Sequence, residues 1–255
     1  MRFSFLMCAN RDTDFIDEAL SSMSNQSYEN KYEIVLVANN CHDDLYHKFL
    51  EFKKQTECKK IIVNVYRTSI GQLGFNLNYG VDKSLGDYIV RMDSDDVTDY
   101  ERLKITNEII VNHDADIIHG SCRLIDESGN SLGERIVNGN VERSFYFKNP
   151  IIHPTVAYKK SSFLEVRGYA GGILAEDYDL WLRFFRNKNY KFFSSNEKLI
   201  SYRIHNDQSR GNIYGPCDCV GYLIREFLVT LNPYFIVGFV FRFMIVLGKR
   251  LSRII

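Results

Sequence analysis

Four short apolar runs, each followed by a stretch of helical periodicity, fill residues 3–113, and this alternation admits little besides an α/β sheet with crossover helices. The runs are Phe3–Cys8, Glu33–Val37, Ile61–Tyr66 and Tyr88–Met92. The helical stretches run from about Asp14 to Ser24, His42 to Gln55, Gln72 to Ser84 and Tyr100 to His113. Near-continuous apolar strands are covered on both faces, as in a parallel sheet flanked by helices. Open sheets of this kind bind ligands beyond the carboxyl ends of their strands, so the loops after Cys8, Val37, Tyr66 and Met92 are expected to converge on one crevice. Short strands at Asp116–His119 and Cys122–Ile125, with a turn at Glu127–Asn130, then break the alternation, so the second half is expected to be mixed.

A chain of 255 residues with 45% hydrophobic content can bury a sizeable core, which excludes disorder and leaves room for one main domain. Lys+Arg and Asp+Glu both number 32, so no bulk field attracts nucleic acid and none is expected as a partner. Cys8, Cys41, Cys58, Cys122, Cys217 and Cys219 show no zinc spacing and read as reduced, mostly structural thiols of a cytosolic protein. The N-terminal apolar run is too short for a signal-peptide core or a membrane span. Toward the other end, Leu231–Leu247 is strongly apolar, Arg242, Lys249, Arg250 and Arg253 are basic, and no acid follows Glu226. Arg242 interrupts the run, and Arg242, Lys249 and Arg253 share a helical face, which favours a helix lying in a membrane interface over one that crosses it. A core-packing helix or a dimer contact is the alternative.

The strand Tyr88–Met92 runs directly into Asp93-Ser94-Asp95-Asp96. Three carboxylates within four residues repel one another unless a cation neutralises them. Hard oxygen donors suit Mg2+ or Mn2+ shared with a substrate diphosphate. An acidic turn capping the next helix, with Asp99 three residues before Arg102, is the plainer alternative.

The surrounding blocks resemble family 2 glycosyltransferases over about residues 3–210. They include Phe3-Ser-Phe-Leu-Met7, Glu33-Ile-Val-Leu-Val37, Gly86-Asp-Tyr-Ile-Val-Arg-Met-Asp-Ser-Asp-Asp96, His153-Pro-Thr155, Gly168-Tyr169, Glu176-Asp-Tyr-Asp-Leu-Trp-Leu-Arg183 and Tyr202-Arg-Ile-His205. With the apolar, basic tail read as a C-terminal helical, membrane-associating segment, the resemblance implies an α/β, Rossmann-like GT-A fold with a mostly parallel central sheet flanked by helices. It divides the chain into a catalytic domain at 1–210, with a nucleotide-sugar half (1–98) and an acceptor half (99–210), and a C-terminal segment at 211–255. It also implies inverting, metal-dependent transfer from a nucleotide-diphosphate sugar, UDP favoured; combined with the cationic apolar tail, it points to a lipid-linked saccharide of a surface polysaccharide as acceptor. The enzyme would then act on the cytoplasmic side, peripheral to the inner face of the membrane, with homodimerisation open.

Carried over by resemblance, Asp95 binds the divalent ion (Mn2+ or Mg2+), Asp93 lies nearer the ribose or donor sugar and shares the metal, and His205 completes the metal site. Asp177 resembles the general base, while Glu176 and His153 face acceptor or sugar hydroxyls. Asn10, Asn39 and Ser94 fall among the donor-binding positions. Physically, a positioned carboxylate is what a poor hydroxyl nucleophile needs. The plain readings are a helix N-terminus complemented by acids for Glu176, Asp177 and Asp179, and a hydrogen-bonding surface residue for His205. Trp181 reads as core.

The chain departs from the family pattern in three places. Ala38-Asn39-Asn40-Cys41 replaces the usual Asp-Asp-Gly-Ser, so an amide oxygen rather than a carboxylate is offered to a uracil N–H. The first loop, Cys8-Ala9-Asn10-Arg11, lacks the common aromatic residue, and Leu77 stands where Arg is frequent. A nucleotidyltransferase and a catalytically degenerate sugar-nucleotide-binding scaffold are the competing functions.

Overall fold

The computed structural model describes residues 2–57, 60–137, 141–172, 174–206 and 213–251. Cys58 and Arg253, both named above, lie outside the described residues, as does the side chain of Lys249. The chain forms two compact units, one of Met1–Asn138, Ile151–Glu165 and Lys191–Asn206, the other of Gly139–Pro150, Val166–Tyr190 and Asp207–Ile255.

The first unit opens as the sequence pattern requires: β1 (Phe3–Ala9), α1 (Ile16–Ser24), β2 (Tyr32–Asn39), α2 (Asp43–Thr56), β3 (Ile61–Thr68), α3 (Leu73–Lys83) and β4 (Tyr88–Met92). Every residue of β1, β2 and β4 is buried. The helices cover the sheet with stripes one turn apart, such as Ile16, Ala19, Leu20 and Met23 on α1. Burying each large apolar side chain this way contributes about 1.5–3 kcal/mol. Strands β3, β2, β1 and β4 are neighbours in that order and parallel, so their carboxyl ends share one edge. Gly86 makes the turn into β4 possible, because a Cβ there would stand 2.6 Å from the backbone of Phe3 and Ser4.

After β4 come β5 (Val97–Thr98), α4 (Arg102–His113), β6 (Ile117–Ile125), β7 (Ser131–Arg135), β8 (Ala157–Lys159), α5 (Lys160–Glu165) and, after the next helix in chain order, β9 (Phe192–Arg203). The sheet continues β4-β8-β6-β9-β5 with β7 on β6. Its β4–β8, β8–β6, β9–β5 and β6–β7 pairs are antiparallel and β6–β9 is parallel. The second half is therefore mixed. The two short strands expected at 116–125 are a single one, β6. Its register with β9 shifts at Gly120/Ser121, where a Cβ on Gly120 would meet Leu199 at 2.8 Å, so the missing side chain lets the strand continue past the irregularity.

The second unit contains α6 (Glu176–Arg186), α7 (Tyr214–Thr230) and α8 (Pro233–Leu251). Leu231 adopts a left-handed conformation (φ 53°) that ends α7. Asn232 Oδ1 then accepts from Tyr234 N at 3.1 Å, and Pro233 opens α8. Val237, Val240, Phe241, Met244 and Leu247 are exposed along one side of α8, while Phe235 is buried and Arg242 donates through Nε to the Phe147 carbonyl. Arg242 is thus engaged with backbone, and what α8 presents outward is chiefly apolar. No helix among the described residues is long and apolar enough to cross a membrane.

Candidate active site

In the first unit the acids stand where β4 ends. Asp93, Asp95 and Asp96 each offer an oxygen within 4.8 Å of the others. His205, just past β9, brings Nε2 to 2.9 Å from Asp95 Oδ2. A helix cap does not explain the trio: the side chain that bonds ahead of α4 belongs to Asp99, whose Oδ1 accepts from Glu101 N at 3.0 Å.

Two buried arginines shape the cluster. Arg91, within β4, pairs with Asp93 and also donates to the Met92 carbonyl. Arg203, at the end of β9, donates through Nε to the Asp95 carbonyl at 2.9 Å and through its backbone N–H to Asp96 Oδ1 at 2.9 Å. Its guanidinium also reaches Glu18 and the carbonyls of Asp126 and Glu127, and lies 4.6 Å from the Phe15 ring centroid. The cation that partly offsets the acids is thus anchored from several sides. Neither arginine was among the expected site residues, though Arg91, alone inside an otherwise apolar buried strand, signals a carboxylate partner.

A third buried arginine, Arg102, adds its charge near Asp96, yet two of the acids stay above the ordinary carboxylate range. Burial first, and the neighbouring Asp93 charge second, hold the Asp95 carboxyl above its ordinary range. Asp96 is pushed up further by burial and both neighbours, and its Oδ2 is buried without a hydrogen-bond partner among the described residues. Oxygen donors with one imidazole nitrogen, short of positive charge, fit a divalent cation of the Mn2+ or Mg2+ class.

Along the same sheet edge, Asn10 is exposed after β1, and Asn39 closes β2 with its Oδ1 buried and without a partner among the described residues. Residues 40–42 and 67–69 line an adjoining recess of about 600 Å³. Ser94 is half-buried within the acid turn. His153 lies in a short turn (His153–Thr155), and burial, aided by the Arg91 charge, pushes its imidazole down to about 3, leaving it neutral near pH 7.

The second unit holds Glu176 and Asp177 in the first turn of α6, so acids do complement that helix dipole as the plain reading anticipates. Asp177 is more than a dipole partner. Its Oδ1 accepts from Tyr178 N and its Oδ2 from Asn149 Nδ2, both at 2.7 Å. Burial and the adjacent Glu176 charge nevertheless push its carboxyl from 3.8 up to about 7. Asn149 was not anticipated, since nothing in its local sequence marks it. Trp181 is fully buried, as its helical spacing suggested.

The model for Glycosyl transferase family 2 matches residues 4–168. An O-antigen biosynthesis glycosyltransferase of Escherichia coli, WbnJ, is 36% identical over 88% of this chain and 88% of its own length. A UDP-Gal:alpha-D-GlcNAc-diphosphoundecaprenol beta-1,3-galactosyltransferase, also of E. coli, is 29% identical over 73% of this chain and 68% of its own. The crystal structure of S. aureus TarS 1-349 in complex with UDP-GlcNAc superposes with a TM-score of 0.71 at 19% identity, covering 91% of this chain and 67% of that one, a likeness of GT-A fold.

Proposed function

The chain belongs to glycosyl transferase family 2 and is a glycosyltransferase; from that premise we propose that it is an inverting, divalent-metal-dependent enzyme of O-antigen or capsule synthesis. It transfers a hexose or N-acetylhexosamine from a UDP-sugar to a hydroxyl of a lipid-linked oligosaccharide. The carrying observation is the acid cluster at the end of β4, with the His205 imidazole turned into it and the Asp95 and Asp96 carboxyls held above their ordinary range.

In this reading Asp95, Asp93 and His205 hold the cation. When bound, the cation offsets charge developing on the departing diphosphate. Asp93 and Ser94 also contact the donor, Asn10 lines its loop, and the buried Asn39 oxygen accepts from the uracil N–H. Glu176 and His153 take acceptor or sugar hydroxyls. Asp177 removes the acceptor proton as the oxygen attacks the anomeric carbon opposite the nucleotide, and this single displacement inverts the centre. A carboxylate at about 7 suits the task, because a general base works best with a pKa near the operating pH.

The E. coli relative named for a diphosphoundecaprenol acceptor supports the lipid-linked assignment. The apolar side of α8 supports peripheral attachment to the inner face of the cytoplasmic membrane, by insertion of apolar side chains more than by charge. A second copy of the chain is the rival occupant of that side.

The direct test is Asp177→Asn in the full-length protein. Transfer should fall by about two to four orders of magnitude, with UDP binding unchanged. Wild-type transfer by the variant contradicts the assignment of the base.

A further inference from the structure

The side chains that fix Asp177 lead back, on both sides, to the C-terminal helices. Asp177 Oδ2 depends on Asn149, which lies beyond the 3-10 turn Glu142–Tyr146 in a stretch that joins no sheet. That stretch is held from α8. Arg242 donates to the Phe147 carbonyl two residues before Asn149. The Tyr146 ring packs against Phe235 and Tyr234 at centroid distances of 4.9 and 5.3 Å. Gly238 permits the approach, since a Cβ there would collide with the Tyr146 carbonyl. The Tyr178 hydroxyl, next to Asp177 in sequence, donates to the Phe145 carbonyl at 2.6 Å and ties α6 to the same stretch.

From the other side, α6 is pinned by α7. Arg225 pairs with Asp179, two residues past Asp177. Arg186, at the end of α6, makes two bonds to the fully buried Glu226 at 2.9 and 2.7 Å. Planar two-point contacts of this kind fix direction as well as distance. Arg242 is half-buried between the exposed Phe241 and Phe243. The guanidinium has a carbonyl to orient.

We propose that α7 and α8 form the positioning frame of the catalytic carboxylate, with Arg242 acting through Phe147 and Asn149, and Arg225 acting through Asp179. The proposal rests on the reading of Asp177 as base. The titratable groups set against Asp177 are Glu176 on its own helix and the Cys219 thiol on α7, which burial pushes up to about 11 and so keeps neutral.

The test compares full-length Arg242→Met, Arg242→Lys and Asp177→Asn for kcat, donor KM and the acid limb of the pH profile, with UDP-induced thermal stabilisation as the check on folding. Arg242→Met should lower kcat by about 10- to 100-fold, hold donor KM within about twofold, and move the acid limb upward as the Asn149 bond to the carboxylate loosens. Arg242→Lys, which keeps a cationic donor, should recover most of kcat. Wild-type kcat and limb in Arg242→Met, or a lysine no better than methionine, overturns the frame. Should Arg242→Met not fold, Phe235→Leu loosens the Tyr146 contact without removing a charge. It should lower kcat with KM held, and a wild-type kcat there is equally fatal. If Asp177→Asn itself retains turnover, the base assignment fails. If that variant is inactive while Arg242→Met behaves as wild type, only the frame fails.

Discussion

The Asp177 environment makes a signed prediction about pH. The rise from 3.8 to about 7 corresponds to about 4 kcal/mol of preference for the neutral acid. Burial is the largest cause and the Glu176 charge the next, while the bonds from Tyr178 N and Asn149 work in the opposite direction. With Asp177 as the proposed base, transfer would require its carboxylate, so kcat/KM should climb with pH through a limb near 7. Glu176→Gln removes a like charge and should lower the limb. Asn149→Leu removes a hydrogen bond to the ionised form; such bonds contribute about 1.5–3 kcal/mol, so the limb should rise by about one pH unit or more. The assay is initial-rate transfer between about pH 5 and 9 for the three proteins at subsaturating acceptor. Limbs that coincide in all three, or two variants shifted in the same direction, would refute the reasoning.

Other consequences concern stability, donor choice and attachment. Because the folded-state value of Asp177 is raised, its stabilising contribution is complete below about pH 4 and disappears as pH rises through about 7. Calorimetry should therefore find Asp177→Asn higher in Tm than wild type at pH 8, at about 2–4 °C per kcal/mol recovered, with the gap closing near pH 4; a variant less stable at pH 8 contradicts this. Asn39→Leu removes the buried acceptor and should weaken UDP by about 1 kcal/mol, about fivefold in Kd; unchanged UDP affinity removes Asn39 from base recognition. The full-length protein should float with phosphatidylcholine–phosphatidylglycerol vesicles even at about 0.5 M salt, where exposed charges are screened. The pair Phe241→Ser and Met244→Ser should abolish flotation. A protein that leaves the vesicles and sediments as a dimer would assign the face to a second copy.

Much of the first unit was legible because its signals are local. The strand Tyr88–Met92 falls where its apolar run ends, bounded by the Gly86-Asp87 turn and by the acids. Helix starts were less well defined. The sequence pattern places residues 14 and 72 in helices, but α1 begins at Ile16 and α3 at Leu73, and among the described residues neither start carries a side-chain cap to mark it. The merged strand β6 was missed because an apolar pattern interrupted by Gly120-Ser121 looks like two strands until β9 is seen beside it. At the site, Asp93, Asp95 and Asp96 announced themselves by crowding at one strand end. His205 was placed by resemblance, and its contact with Asp95 spans 110 residues of sequence. The Arg242–Phe147 contact spans 95 residues and uses a backbone carbonyl, which leaves no trace in residue type at the accepting position. Of the basic residues expected to share a face, Arg242 is the one whose side chain is described in a contact, and that contact is with a backbone carbonyl.

The most direct test of the account is the affinity of UDP measured by titration calorimetry with and without Mn2+, in wild type and in Asp95→Ala. A donor site built on the β4 acids predicts that Mn2+ tightens UDP binding about tenfold or more in wild type, equivalent to at least about 1.4 kcal/mol, and has no effect in the variant. Equal affinity with and without Mn2+ in wild type, or full enhancement in Asp95→Ala, would contradict it.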